Sequence, residues 1–452
     1  MKRNALDKSS LLFSNRFLAT LIIPLLIETL LNVTIGMMDT IMVSTNGEAA
    51  VSGVSLVDSL ANLFIFLFSA FATGGAVVAS QYLGRKDKEN ASESAKQLLY
   101  ISFLFSLLIS VVVLLFNEQL MSLVFGKIEE DVESFALSYL TPIALSFPFL
   151  AITNSANAVC RSVGKSKITM TVSLVMNIIN VSGNAILIYI FGMGPLGAGI
   201  ASLLSRITAC AIMLSVVCGK NFELRVKKLL KVELRFSMIF RILRIALPSG
   251  IENCIFHIGK ILVTSTISTF GTASIAAYAV FNSLATFANI PGSAIGMAAV
   301  TVIGQCCGAG NYDQAKYYAR KLITLTFILQ GLTCLLMFVL TPNLASLYNL
   351  SAVAYKLSVD TVRICLIQTF IFWPLAFTVP NFLRASGDVK FTMLVSIISM
   401  WLFRVMLARV LGITFSMGLE GVCWAMYIDW YCRGAFFVTR WLKGKWKEKT
   451  VI

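Results

Sequence analysis

Twelve apolar runs, each long enough to cross a lipid bilayer, follow one another from residue 16 to residue 440. About 20 apolar residues span the hydrocarbon as a helix. Inside lipid only helices and closed barrels satisfy every backbone N–H and C=O. The runs occupy 16–43, 51–80, 97–116, 136–159, 167–190, 195–218, 240–268, 275–304, 321–340, 357–382, 389–411 and 418–440. Several exceed the hydrocarbon thickness, so tilt or protrusion into water is expected. One such run could be a buried helix of a soluble core. Twelve in succession, with 57% hydrophobic and only 13% charged residues against about 25% charged in a soluble domain, exclude a soluble enzyme, a coiled coil and a disordered chain. The expected fold class is an all-α polytopic membrane protein.

The net charge of +15 would point to nucleic acid in a soluble chain. Here the cations occupy every second loop: Lys2, Arg3, Lys8 and Arg16, then 85–96, 161–167, 220–244, 316–321, Arg384 and Lys390, and finally 440–449. The opposite loops contain only Lys127 and Lys356. This positive-inside pattern implies a multi-pass protein of the cell (inner) membrane with both termini cytoplasmic, and no nucleic-acid partner. Lys2, Arg3 and Lys8 resemble the charged start of a signal peptide. However, Phe17 to Val43 is too long for its apolar region and includes Glu28 and Asp39, so it is read as a retained first span.

The second half repeats the first. A shift of 224 aligns Pro24 to Lys96 with Pro248 to Arg320 without a gap, superposing Pro24/Pro248, Glu28/Glu252, Gln81/Gln305 and Gly84/Gly308. The loop Arg161 to Lys167 faces Arg384 to Lys390 at a shift of 223, and one further residue restores 224 by Met193-Gly194/Met417-Gly418. Six spans per half, an even number, give two parallel repeats, an arrangement known in transporters. The expected division is an N-lobe over 1–219 (spans 1–6), a basic cytoplasmic linker over 220–239, and a C-lobe over 240–452 (spans 7–12).

Pro24 to Asp39-Thr40, Gln81…Gly84 with Gln305…Gly308, and the Arg-x-x-Gly-x-x-Lys loops after spans 4 and 10 together resemble the multidrug and toxic compound extrusion (MATE) family. The resemblance covers essentially the whole chain. It implies a secondary-active antiporter that exports amphipathic, cationic compounds in exchange for Na⁺ or H⁺ by rocking of two lobes, acting as a monomer. It also implies no enzyme activity and no cofactor beyond the coupling ion.

Ionisable groups at membrane depth are costly and point to function. Asp39 lies about 22 Å beyond Pro24 along span 1, with no cation within one helical turn. It must be protonated or hold a cation. Asn177, Asn180 and Asn184 on span 5 supply amide oxygens, and Asn180 and Asn184 share a face. By resemblance, the cation-coupling set falls on Asp39, Asn180, Asn184 and Ser202, with Asp39, Asn180 and Asn184 as metal ligands if the ion is Na⁺. Asn184 stands where some family members carry Asp, which leaves one formal negative charge and keeps both Na⁺ and H⁺ open.

The second half differs. Span 10 offers Gln368 and no midplane acid, while Asp360 lies near its outer end. His257 and Lys260 share a face of span 7, and Lys260 occupies the place of Gly36. With Arg404 and Asp429 they form an expected charge cluster, balanced by Asp429 and Glu420, that either locks helices or engages an anionic substrate group. Glu28 and Glu252 follow the two prolines symmetrically and suggest a structural role. Asp58 and Asn282 form a further equivalent pair without an assigned role.

Phe64, Phe68, Phe71, Phe281 and Phe287 are candidates for a substrate pocket with cation–π character. The ten cysteines show no Cys-x-x-Cys and are read as small apolar residues. A single histidine argues against a zinc site or a Ser–His–Asp triad, and no phosphate-binding Walker loop is present. Two rival readings remain: a flippase of lipid-linked saccharides, kept open by Lys260 and Arg404 but disfavoured by twelve spans and the Asp39, Asn180, Asn184 and Ser202 set, and an intramembrane enzyme, for which no nucleophile–base pair is visible.

Overall fold

The computed structural model describes residues 11–452 apart from 127, 128, 228, 230, 349 and 450. Lys2, Arg3, Lys8, Lys127 and Lys228 of the charge pattern therefore lie outside the described residues. Those described form helices and no strand. Twelve long helices succeed one another: α1 Asn15–Val43, α2 Glu48–Gly84, α3 Lys88–Leu115, α4 Glu130–Ser162, α5 Ser166–Ile190 and α6 Gly194–Cys218 in the first half. The second half has α7 Phe236–Ser268, α8 in two pieces (Thr272–Ala288 and Ile290–Gly308), α9 Tyr312–Ser346, α10 Ala352–Ala385, α11 Val389–Thr414 and α12 Gly418–Lys443. Ten of these meet a simple length-and-hydropathy criterion for a membrane span; α7 and α12 do not. These two carry Glu252 and Lys260, and Glu420, Asp429 and Arg433, within otherwise apolar helices.

Two helices begin well before their apolar runs. α3 starts at Lys88 and α9 at Tyr312, each preceded by a polar cap. Asp87 Oδ1 accepts the Asn90 amide at 3.0 Å, and its repeat counterpart Asn311 accepts the Gln314 amide at 3.2 Å. Such a cap satisfies an otherwise unpaired N–H of the first turn, so the helix continues through the polar stretch that hydropathy alone leaves out. The Asn90 side chain and backbone hold the Asp87 carboxyl below its ordinary range. A lowered pKa means stabilisation that is present above the ordinary carboxylate pKa and lost as pH falls through the lowered value. Asp87→Ala should cost about 1 kcal/mol near neutral pH and less at strongly acidic pH, where the neutral carboxyl is the weaker acceptor. Asn311→Ala should cost a similar amount at both. Thermal melting of each variant across pH checks this.

The one-residue change in repeat shift has a structural counterpart. Both halves wind into a π-turn at equivalent places, Ala185–Ile190 and Val410–Thr414. The second half has two additional π-turns, Pro374–Thr378 and Met400–Met406, the latter between the landmarks where the shift moves from 223 to 224. A π-turn absorbs an extra residue without breaking the helix.

The chain forms two compact units that divide within α1 and α7, near Pro24 and Pro248. One comprises Ala19–Gly250, the other Ile251–Ile452 with the described residues up to Leu18. In the first unit, α2 lies directly on α4. A Cβ at Gly53 would come within 2.9 Å of the Ala136 amide nitrogen and the Val132 carbonyl, so only glycine permits that approach. Glu28 of α1 accepts from Arg161 of α4 at 3.0 Å and from the Thr169 hydroxyl of α5. The second unit repeats the pair: Arg384 donates to Glu252 at 2.7 Å. The symmetric glutamates thus tie α1 to α4 and α7 to α10. In the second unit the first described residues are held by α9, through Leu12 N–H to Gln314 and Phe13 N–H to the Tyr318 hydroxyl.

Candidate functional site

In the first unit, Asp39 of α1 is buried (6% exposed), as are Asn180, Asn184 and Ser202. Asn184 donates from Nδ2 to Asp39 Oδ1 at 2.6 Å, and Asn180 donates from Nδ2 to Ser202 Oγ at 3.0 Å. With their NH₂ groups so engaged, the amide oxygens of Asn180 and Asn184 are left buried and without a hydrogen-bond partner. Orphaned buried acceptors are uncommon and call for an explanation. Two amide oxygens and a carboxylate within one buried cluster are the ligand types a hard monovalent cation takes. Asn177 does not join them; its amide donates to the Ser173 carbonyl.

Two residues that the sequence left without a role complete this cluster. Asp58 of α2 accepts from the Tyr139 hydroxyl of α4 at 3.2 Å. Arg206 of α6, one turn beyond Ser202, donates to Ser146 Oγ at 2.6 Å. Its guanidinium lies within electrostatic reach of both Asp39 and Asp58. Asp39 is therefore not isolated from cations as its own helix suggested. The available signal was Arg206 itself, a lone cation in an apolar helix four residues after Ser202. Two carboxylates and one guanidinium leave a single formal negative charge. Asn282, the repeat counterpart of Asp58, turns back to the Tyr278 carbonyl.

The second unit places other residues at these positions. In the internal repeat Val263 stands at the place of Asp39, Met426 at that of Ser202, and Arg404 at that of Asn180. Asp429 is fully buried; Arg433 donates to its two oxygens at 3.0 and 3.2 Å, and the Ser399 hydroxyl donates to one of them. Arg404 approaches the same carboxylate at 3.9 Å. The expected cluster of His257, Lys260, Arg404 and Asp429 is thus brought together only in part. Among the described residues Lys260 has no acidic partner, and it stays exposed, although it lies within electrostatic reach of Arg404. His257 sits half-buried beside it on α7. Glu420 does not offset them; it lies at the start of α12 beside Thr361, Trp424 and Tyr427. Gln368 accepts from Tyr431, and Asp360 is exposed.

Most of the expected aromatic pocket is core. Phe68 and Phe281 are buried, and Phe71 packs its ring 4.8 Å from Phe105. Phe64 and Phe68 both pack on Phe147, and Phe281 stacks on Tyr278 at 5.5 Å. Helix-spaced aromatics were filling the lobe interiors; only Phe64 and Phe287 keep partial exposure.

A family model described as MatE matches residues 24–186 and 248–410. The chain is 28% identical, over 98% of its length and 96% of the relative's, to an uncharacterized transporter, YisQ, of Bacillus subtilis. It is 25% identical to a probable multidrug resistance protein NorM of Thermotoga maritima, covering all of this chain and 97% of that one. Among solved structures, a MATE protein in its bent conformation superposes with a TM-score of 0.88 at 19% identity, over 96% of both chains. An outward-facing multidrug resistance MATE family transporter of the MOP superfamily does so with 0.89 at 19% identity, over 96% of each.

Proposed function

This chain belongs to the MatE family, and from that premise we propose that it is a secondary-active efflux antiporter exporting amphipathic organic compounds in exchange for Na⁺ or H⁺. The observation that carries this reading is the buried cluster of Asp39, Asn180, Asn184 and Ser202, with its two orphaned amide oxygens. A charge so placed at membrane depth is expensive unless an ion or a proton offsets it. The single negative charge left by Asp39, Asp58 and Arg206 suits one monovalent cation or one proton per cycle. Asp39 sits on α1, the helix that contains Pro24. Filling the cluster would favour one arrangement of this helix, and substrate release outside would accompany it while the two halves alternate access. Phe68 and Phe281 are buried in core packing and offer no cation–π lining to a cationic substrate.

Everted vesicles loaded by the overexpressed chain test the proposal, with Na⁺ and pH gradients imposed separately. Dye efflux should follow one of the two gradients and stop when it is collapsed by the matching ionophore. Efflux indifferent to both gradients would remove the antiport reading.

A further inference from the structure

The second unit carries an unbalanced positive charge where α7, α11 and α12 meet. Arg404 and Arg433 face one carboxylate, Asp429, and a third cation, Lys260, lies within electrostatic reach of Arg404. That carboxylate is already saturated. Arg433 takes both of its oxygens, Ser399 takes one of them again, and the Arg433 guanidinium lies 5.2 Å from both the Phe256 and Phe377 rings. Arg404 is left at 3.9 Å from Asp429, beyond hydrogen-bonding length, with the Phe256 ring at 5.4 Å. Among the described residues its guanidinium finds no hydrogen-bond acceptor. Burying a guanidinium without a hydrogen-bonded anion is strongly unfavourable, yet Arg404 is only 7% exposed. A purely structural arginine would close onto its acid. Arg404 instead projects from the π-turn Met400–Met406, and such turns are frequent at functional sites. Lys260, eight residues before the end of α7, is an exposed residue within electrostatic reach of Arg404. A lysine that far inside a span avoids lipid, which leaves water or a ligand as its neighbour.

We propose that Lys260 and Arg404 form an anion-recognition site for the exported compound, which therefore carries a carboxylate or a similar oxyanion on an amphipathic body. The planar fork of Arg404 suits two oxygens of one carboxylate, and Lys260 adds a mobile point charge. The inference rests on the transport reading, because it names the class of molecule that the antiporter moves. It also separates the two halves by charge: the first unit offers carboxylates to a cation, and the second offers cations to an anion.

The test uses two dyes that differ in one group: rhodamine 110, with a free carboxyl, and rhodamine 123, its methyl ester. Fluorescence polarisation of both is measured with the purified full chain in phosphatidylcholine nanodiscs, with empty discs subtracted. Wild type should bind the acid about tenfold more tightly than the ester, the worth of one charge-assisted pair. Lys260→Gln should bring that ratio close to one, and Arg404→Lys should lower it by less. Monodisperse elution and an unchanged melting temperature of Lys260→Gln exclude misfolding. Equal affinity for the two dyes, no binding of either, or a ratio that Lys260→Gln leaves intact would overturn the proposal. So would loss of the acid preference in phosphatidylglycerol discs, because the site would then belong to a lipid headgroup. Vesicle efflux separates this inference from the transport reading. Gradient-driven export of the ester without acid preference leaves antiport standing and removes the anion site. Acid-selective binding without gradient-driven export does the reverse.

Discussion

Asp39→Asn should abolish gradient-driven efflux while the protein is still made, inserted and melts close to wild type. The substitution keeps an acceptor for the Asn184 amide, which donates to Asp39 Oδ1 at 2.6 Å, so the contact between α1 and α5 survives. What it removes is charge. With Asp39 neutral, Asp58 and Arg206 cancel, and nothing in the cluster attracts a cation. A charge–cation contact at about 4 Å is worth about 4 kcal/mol at an effective dielectric of 20, which is roughly a thousandfold in ion affinity. Efflux in everted vesicles under an imposed Na⁺ or pH gradient should drop to the level of empty-vector membranes. Wild-type efflux from Asp39→Asn would place coupling elsewhere, with Asp58 the next carboxylate to replace.

Much of this architecture was legible from residue order. The number of spans follows from apolar length, and the duplication from polar landmarks that keep register. What escaped is instructive. Hydropathy cut α3 and α9 short because the caps at Asp87 and Asn311 extend them through polar turns. Asp39 could be named because a buried charge is rare enough to stand out, and its amide partners because the family resemblance points to them, whereas Asp58 and Arg206 are joined to them only by packing between α2, α4 and α6. No periodicity on one helix contains that information. The same limit explains the phenylalanines. A helix-spaced aromatic looks alike whether it faces a cavity or a neighbouring helix, and Phe68 and Phe281 face neighbours. In the second half the sequence named Lys260, Arg404 and Asp429 correctly as exceptions to the apolar pattern. Asp429 and Arg433 stand i, i+4 on one face of α12, and the structure gives the carboxylate to that pair.

That assignment makes Asp429 the residue whose loss should most weaken the second unit. Asp429→Ala strands two guanidiniums, Arg433 at 3% exposure and Arg404 at 7%, with only the Phe256 and Phe377 rings for compensation. Removing one partner of a buried pair costs about 3–5 kcal/mol, which in a unit of this size corresponds to a melting temperature lower by on the order of 10 °C. Asp429→Asn should fall between this variant and wild type, since an amide oxygen can still accept from Ser399 and Arg433. The double variant Asp429→Ala with Arg433→Met should recover part of the loss, because the stranded charge, more than the missing ion pair, carries the cost. Thermal melting of the four proteins in one detergent reads out the cycle. If Asp429→Ala melted with wild type, Arg433 and Arg404 would have to be balanced by something other than this carboxylate. The same comparison bears on Arg404: at 3.9 Å from Asp429 it should lose less from that substitution than Arg433 does. Arg433→Met should therefore suppress the defect of Asp429→Ala more fully than Arg404→Met.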